Sequence, residues 1–271
     1  MAGFVVYFGV LPRTYFFCNL IGKYSAVRHY LYTYPLCVIN KTEMINKLYN
    51  FLSKPFIVIV VMIVAPILSI ADRNFGYFFG LFIALFLLWK SGWNWAKFGF
   101  GQKINLRTIL KGLLLAIAIF LIIDICIQPF LEIYFGKIDL SSIEEIRGDF
   151  ASFLPLFLIM WIFAAFGEEF LFGGYYMKHL AELFGDSNKS WLISAIVLSI
   201  YFGVSHNYQG TSGMISVGLA STIFFFTFYK NRTNLALLVF THGFYDTIGL
   251  TLIYLNKDRI FYDWAFQLIN K

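Results

Sequence analysis

The sequence predicts an all-α membrane protein, a polytopic bundle of about seven transmembrane helices. Hydrophobic residues make up 59% of the 271 residues and charged residues only 13%, a balance outside the usual range of soluble globular domains. The apolar residues form long unbroken runs, whereas a transmembrane barrel would show short alternating segments separated by turns. Helices that cross a bilayer are therefore the favoured structure.

The amino-terminal region differs from the rest of the chain. Residues 1–43 carry scattered aromatic, cysteine and basic residues, and contain no apolar run long enough to span a bilayer. From Met44 the pattern becomes regular, and a basic amphipathic segment leads into the first apolar run. Two interpretations stay open. Either residues 1–55 form a cytoplasmic or interfacial arm, or Met44 is the natural start and the residues before it are dispensable.

Residues 56–271 are predicted to form a single membrane domain, because no linker, internal repeat or low-complexity segment divides them. A spanning helix needs roughly 20 residues, so the shorter apolar runs must recruit flanking aromatic residues or tilt. The predicted spans cover residues 56–70, 75–89, 113–135, 153–177, 191–206, 214–228 and 235–255.

The distribution of charge predicts the orientation of an integral protein of the plasma (cell) membrane. Residues 90–111 carry five cations and no acid, whereas the loop 136–149 carries four acids against two cations. By the positive-inside rule the first segment and the amino terminus are cytoplasmic, and the acidic loop lies outside. The net charge of +6 is explained by this orientation in an anionic bilayer, so nucleic acid is not expected as a partner. The five cations are Lys90, Lys97, Lys103, Arg107 and Lys111.

Three short stretches place strongly polar groups inside apolar segments. Glu168 and Glu169 occur in the sequence GEEFLFGG, His206 ends the sequence FGVSH, and His242 and Asp246 bound the sequence HGFYD. A carboxylate in hydrocarbon must be paired, neutralised or set beside a water-filled cavity, so such residues are candidates for a functional site. The chemistry is expected in the second half of the chain.

Each of these features also has a structural interpretation. A lone histidine in a membrane helix often forms an interhelical hydrogen bond, which applies to His206 or His242 taken alone. Adjacent buried glutamates have few structural uses. Asp124, in the sequence LIIDICI, is a lone acid that is either structural or set in a cavity, and the structural interpretation is favoured. Cys18, Cys37 and Cys126 form no metal-ligand spacing and are assigned no chemistry.

Taken together, Glu-Glu, Phe-x-x-x-His and His-x-x-x-Asp on three hydrophobic segments resemble the CAAX prenyl protease and bacteriocin-processing family (CPBP, or Abi) of intramembrane proteases. The resemblance covers about residues 152–255, the protease-like core. It implies an endopeptidase in which Glu168 is the general base and Glu169 the second glutamate. It further matches His206 and His242 to the histidines of the second and third motifs.

Asp246 falls where the family has Asn or, less often, Asp. The resemblance also implies two substrate classes, prenylated proteins or peptides of bacteriocin maturation and immunity, and the residues do not separate them. The expected partners are the lipid bilayer and a peptide or prenylated protein substrate.

The residue types suit hydrolysis of a peptide bond by activated water. Glu168 would deprotonate the water, His206 would hold and polarise it, and His242 would face the oxyanion. Asp246 would orient His242, because an ionised carboxylate only accepts hydrogen bonds. One departure stands out: the family's first motif normally has Arg where this chain has Gly173, so Glu169 lacks its expected cationic partner.

Two alternatives remain beside this hypothesis. A zinc-dependent membrane metalloprotease would use Glu168, His206 and His242 as ligands, although no HExxH pair is present and no cofactor is favoured. A non-catalytic immunity or scaffold protein with the same fold would explain Gly173 and Asp246. Retention of the buried polar groups favours the enzyme, because a pure scaffold has no reason to bear the free-energy cost of burying them.

Overall fold

The computed structural model describes residues 41–269, and this part of the chain is all-α, as the sequence predicted. The hypotheses about the amino-terminal arm fall mainly on residues 1–40, which lie outside the described residues. From Thr42 onward the described chain forms one compact unit. The α-helices are α1 Lys41–Leu52, α2 Ile57–Ser69, α3 Phe75–Lys90, α4 Leu106–Phe120, α5 Gln128–Phe135, α6 Phe150–Ile159, α7 Lys178–Leu183, α8 Asn188–Ser205, α9 Gly210–Lys230, α10 Leu235–Tyr254 and α11 Ile260–Ile269.

Two of the long apolar helices contain π-helical segments. The first π segment, Leu121–Ile127, joins α4 to α5, and the second, Met160–Met177, joins α6 to α7. In a π-helix the hydrogen bonds join residues five apart instead of four, and such segments are frequent at functional sites. Glu168 and Glu169 lie in the second π segment, so the backbone that positions them differs from a regular α-helix.

The number of candidate spans is smaller than the seven predicted. Four stretches among residues 41–269 are long and apolar enough to cross a membrane: Leu106–Phe135, Phe150–Leu183, Asn207–Lys230 and Leu235–Tyr254. A fifth is added if Thr42–Leu52 and Ile57–Ser69, which are bent by 89° at their junction, form one span. The chain is therefore an integral membrane protein with four to five candidate spans by length and composition.

The two remaining predicted spans are helices that do not meet the length and hydropathy expected of a membrane span, for different reasons. The helix α3 is apolar but has only 16 residues. The helix α8 has 18 residues, but polar residues dilute its apolar character. Ser194 and Ser199 of α8 direct their hydroxyl groups to backbone carbonyl groups one turn earlier, at 2.9 and 2.8 Å, so the helix can be buried despite its serines.

Loop contacts gather at two ends of the helix bundle. The cation-rich end, defined as residues 90–105, 178–188 and 231–234, is tied together by hydrogen bonds between its loops. Among them, the backbone nitrogen of Gly101 donates to the carbonyl of Thr233 at 2.9 Å, and Lys178 Nζ donates to the carbonyl of Lys97 at 2.7 Å.

The acid-rich end comprises residues 72–74, 136–149, 206–210 and 255–259. The backbone nitrogen of Asp139 donates to the carbonyl of Gln209 at 2.9 Å, and the guanidinium of Arg73 lies over the Tyr208 ring.

An ion pair joins two loops at this end. Arg147 contacts both carboxylate oxygens of Asp258, at 2.6 and 3.0 Å. Partial burial would raise the pKa of Asp258, but the hydrogen bonds and charge of Arg147 outweigh it and bring the pKa below its ordinary value. Taken in chain order, the loops lie alternately at the acid-rich and the cation-rich end: 72–74, 90–105, 136–149, 178–188, 206–210, 231–234 and 255–259.

The helices that carry the polar motifs pack closely on one another. The second π segment packs on α10, which also packs along α4, and α8 packs along α9. Small residues allow the closest approach: a Cβ atom added at Gly203 of α8 would lie 2.8 Å from the carbonyl oxygen of Met214 and 2.9 Å from the Cα atom of Gly218. The contact lies one turn before His206, so it fixes the position of the second motif.

We predict that Gly203→Ala destabilises the protein by about 1–3 kcal/mol, because the added methyl group meets backbone atoms that cannot move aside. The measurement is thermal unfolding of the detergent-purified protein. Gly249→Ala in α10 is the matched control, since an added Cβ there has no heavy atom within 4 Å. Equal unfolding temperatures for the two variants would contradict the close α8–α9 contact.

Candidate active site

The three polar motifs converge on a small cavity between the second π segment, the end of α8 and α10. Glu168 comes from the π segment, His206 directly follows α8, and His242 and Asp246 lie one turn apart on α10. All four residues line this cavity, which has a volume of about 180 Å³. Glu168 and His206 thus share one site.

Glu169, the fifth predicted residue, lies behind the cavity and pairs with His242. Its Oε1 atom is 2.9 Å from Nδ1 of His242, and Oδ2 of Asp246 is 3.3 Å from Nε2 of the same ring. Glu169 and His242 are both buried, at 1% and 6% exposure. His242 therefore bridges two carboxylates, and a positively charged ring with both nitrogens protonated satisfies both contacts.

The surroundings of Gly173 leave little space for the arginine that the family normally has at this position. A Cβ atom at Gly173 would lie 3.9 Å from Oε2 of Glu169 but only 2.7 Å from Cδ1 of Leu235. Leu235 therefore occupies the space through which a longer side chain would have to pass. Oε2 of Glu169 is buried and has no hydrogen-bond partner among the described residues, while Oε1 obtains its partner from α10.

Glu168 faces open space. Its side chain lines the small cavity and also a larger one of about 1220 Å³, and within the described part of the chain it makes no hydrogen bond. The larger cavity extends to the acid-rich end, where Arg73, Tyr208 and Asp258 line it, and no residue of the cation-rich end does. The carboxylate of Glu168 is thus accessible from one end of the bundle.

His206 is held by its own helix. Its Nδ1 atom is 2.8 Å from the carbonyl oxygen of Phe202, and because a carbonyl only accepts, Nδ1 carries the proton. In the neutral ring Nε2 is then an acceptor. The Phe202 ring lies 4.6 Å from the His206 ring, centroid to centroid, so the two residues of the second motif pack together as the four-residue spacing predicted.

The expected role of His242 at the oxyanion meets an obstacle. Both of its ring nitrogens already contact carboxylates, and the Nε2–Asp246 contact of 3.3 Å is the longer of the two. An oxyanion could receive the Nε2 proton only by sharing it with Asp246 or displacing that carboxylate. This constraint arises from the i, i+4 relation of His242 and Asp246 on α10.

Two tyrosines that the sequence analysis did not select also line the small cavity. Tyr208 follows His206 by two residues, and Tyr245 precedes Asp246. The Tyr208 hydroxyl accepts a hydrogen bond from Nε2 of Gln209 at 3.3 Å, which leaves its own proton available to donate. The sequence signal that could have identified these tyrosines is their position, because each lies within two residues of a motif residue.

The residues present do not fit a zinc site. Among the described residues, no group of three or more His, Cys, Asp or Glu side chains could hold a metal ion. His242, one of the three proposed ligands, has neither ring nitrogen free of a carboxylate contact.

Part of the chain matches a known protein family. Residues 150–248 match the family described as type II CAAX prenyl endopeptidase Rce1-like, and all five candidate site residues fall in this range. Searches of curated proteins and of solved structures found no match. The motifs, the helical membrane fold and this match lead to one assignment: residues 150–248 form a domain of the Rce1-like type II CAAX prenyl endopeptidase family, the CPBP or Abi family.

Proposed function

We propose that the protein is an intramembrane endopeptidase that hydrolyses a peptide bond with a water molecule activated by Glu168. Membership of the Rce1-like family suggests a peptidase. The observation that carries the mechanism is the difference between the adjacent glutamates: Glu169 is buried and paired with His242, whereas Glu168 faces the cavities and makes no hydrogen bond to residues 41–269.

Glu168 and His206 together can hold the attacking water. The carboxylate of Glu168 accepts a hydrogen bond from one O–H group of the water, and the unprotonated Nε2 of His206 accepts a hydrogen bond from the other. Removal of the first proton generates the nucleophile that adds to the substrate carbonyl carbon. Glu168 then returns this proton to the leaving nitrogen as the carbon–nitrogen bond breaks.

The developing oxyanion needs a donor on the opposite side of the carbonyl. The Tyr208 hydroxyl has a proton to donate, and His242 can supply one from Nε2 if Asp246 shares it. In this scheme Glu169 is a positioning residue, because it holds the His242 ring and supplies negative charge that stabilises its protonated form.

We further infer that the chain crosses the membrane seven times, with the amino terminus in the cytoplasm and the acid-rich end outside the plasma membrane. Support comes from the alternation of the loops between the two ends, which requires α3 and α8 to cross as well. With Arg107, Lys111, Lys189 and Lys230, which border it, the cation-rich end has nine Lys and Arg residues against five at the acid-rich end, so the positive-inside rule places it in the cytoplasm. Because the larger cavity reaches only the acid-rich end, this orientation favours a peptide delivered at the outer surface over a cytoplasmic prenylated tail.

We predict that Glu168→Ala lowers the rate at which the protein cleaves a panel of fluorogenic peptides by about 100-fold or more. The panel includes prenylated peptides. The assay uses detergent-purified protein, with a chelator added in a parallel reaction. Chelation should leave cleavage intact, whereas loss of cleavage that zinc restores would contradict the proposed mechanism. Absence of any cleavage by the unmodified protein would favour the non-catalytic scaffold.

Glu169→Ala is expected to affect stability more than Glu168→Ala does. Removing one partner of a buried ion pair costs about 3–5 kcal/mol, because His242 loses its shorter contact. Thermal unfolding of the two variants side by side measures this difference. A Glu169→Ala variant as stable as Glu168→Ala would show that the pair with His242 does not support the fold.

Labelling with a membrane-impermeant maleimide tests the proposed orientation in intact cells. A cysteine at Ser142, in the acid-rich end, should react, and a cysteine at Lys103, in the cation-rich end, should react only after the cells are opened. Each is introduced into a variant in which the native cysteines are replaced. The opposite labelling pattern would invert the bundle and place the cavity mouth in the cytoplasm.

A further inference from the structure

The larger cavity has a second polar wall, formed by the continuous helix that runs from α4 through the first π segment into α5. Asp124, Gln128 and Glu132 succeed one another at intervals of four residues, and all three line the cavity. Asp124 lies within the π segment, and Glu132 lies toward the acid-rich end. The wall thus runs from the interior of the cavity to its mouth.

Two acceptor atoms on this wall are buried without a partner. Oδ2 of Asp124 and Oε1 of Gln128 have no hydrogen-bond partner among the described residues, and Gln128 is only 9% exposed. The amide nitrogen of Gln128 donates to Oε1 of Glu132 at 3.1 Å, which directs the amide oxygen away from Glu132. Unpaired buried acceptors are uncommon in folded proteins and indicate a missing donor.

The charges around the cavity show which donor is missing. Glu132 pairs with Arg259 at 2.6 Å, Asp258 pairs with Arg147, and Asp246 contacts His242.

Asp124, by contrast, has a side-chain hydrogen bond with Tyr245 and forms no ion pair among residues 41–269. Of the carboxylates that line the cavity, only Asp124 and Glu168 form no ion pair within residues 41–269. An acceptor pair of one carboxylate and one amide oxygen suits a positively charged donor.

We propose that Asp124 and Gln128 form a subsite that binds a cationic side chain or a free amino group of the peptide substrate. The assignment rests on the proposed endopeptidase function for its role in cleavage, but not for the binding itself. A cavity of about 1220 Å³ exceeds the usual size of small-molecule sites, and accommodates an extended peptide segment. Asp124, which the sequence analysis treated as structural, thereby becomes a specificity-determining residue.

A peptide cation fits this wall better than a metal ion does. The described residues contain no cluster of His, Cys, Asp or Glu suited to a metal, and the Asp124 carboxylate is accompanied only by an amide oxygen and the Tyr245 hydroxyl. An ammonium or guanidinium group needs only hydrogen-bond acceptors and a counter-charge. Both are present on the wall.

The test measures binding separately from cleavage. The full chain with Glu168→Gln, which retains the cavity but lacks the base, is immobilised in detergent. It is exposed to a pool of short peptides with blocked amino termini that each carry one lysine, and separately to the same pool with every lysine acetylated. The retained peptides are quantified by mass spectrometry. We expect the lysine pool to bind about tenfold more tightly, and this preference to disappear when Asp124→Asn is added.

Glu145→Gln is the matched control, because Glu145 is exposed near the same end of the bundle and does not line the cavity. It removes one negative charge and should preserve the preference. Asp124→Ser repeats the test if the asparagine variant lacks a cooperative thermal transition. Equal retention of the two pools, or a preference that survives loss of Asp124, would overturn the subsite.

The protein with Glu168 intact then separates the two proposals. If it cleaves lysine peptides in preference to acetylated ones, both stand. If it retains lysine peptides through Asp124 but cleaves none of them, the subsite stands and the endopeptidase function fails.

Discussion

The site depends on a histidine held between two carboxylates in an apolar interior. Neither Glu169 nor His242 could be buried alone at low cost, because an isolated charge in a low-dielectric environment is strongly unfavourable. Their contact at 2.9 Å offsets the cost of burying both groups. The same contact joins the second π segment to α10. Glu168, the residue before Glu169, is positioned by the same backbone and faces the cavity.

Much of the fold was predictable from the sequence, since composition and apolar runs determine an all-α membrane protein. The helix boundaries agree well at 235–255, where α10 covers Leu235–Tyr254. The count of seven spans is not reproduced by length and composition, because α3 is short and α8 carries serines. Those serines bond within the helix, which a hydropathy pattern does not register.

For the candidate site, sequence spacing identified which residue types belong together but not their roles. The i, i+4 relation placed Phe202 beside His206 and Asp246 beside His242. The contact between Glu169 and His242 is separated by 73 positions in sequence, and depends on tertiary packing that no local pattern encodes. The consequence of Gly173 likewise required the structure, since Leu235 of another helix occupies the space an arginine would cross. The sequence favoured a structural role for Asp124. The unpaired oxygen of Asp124 and its place on the cavity wall become visible only in the structure.

The one-sided reach of the larger cavity has a consequence for the membrane itself. In the proposed mechanism water must reach Glu168, yet a continuous aqueous path across the bundle would dissipate ion gradients. Beyond Glu168, toward the cation-rich end, Leu171 and Tyr176 still line the larger cavity, whereas Phe170, Tyr175 and Met177 are almost fully buried and do not line it. The cavity therefore ends among packed side chains before the cation-rich end, which lets the bilayer remain an electrical insulator while the proposed mechanism brings water to Glu168.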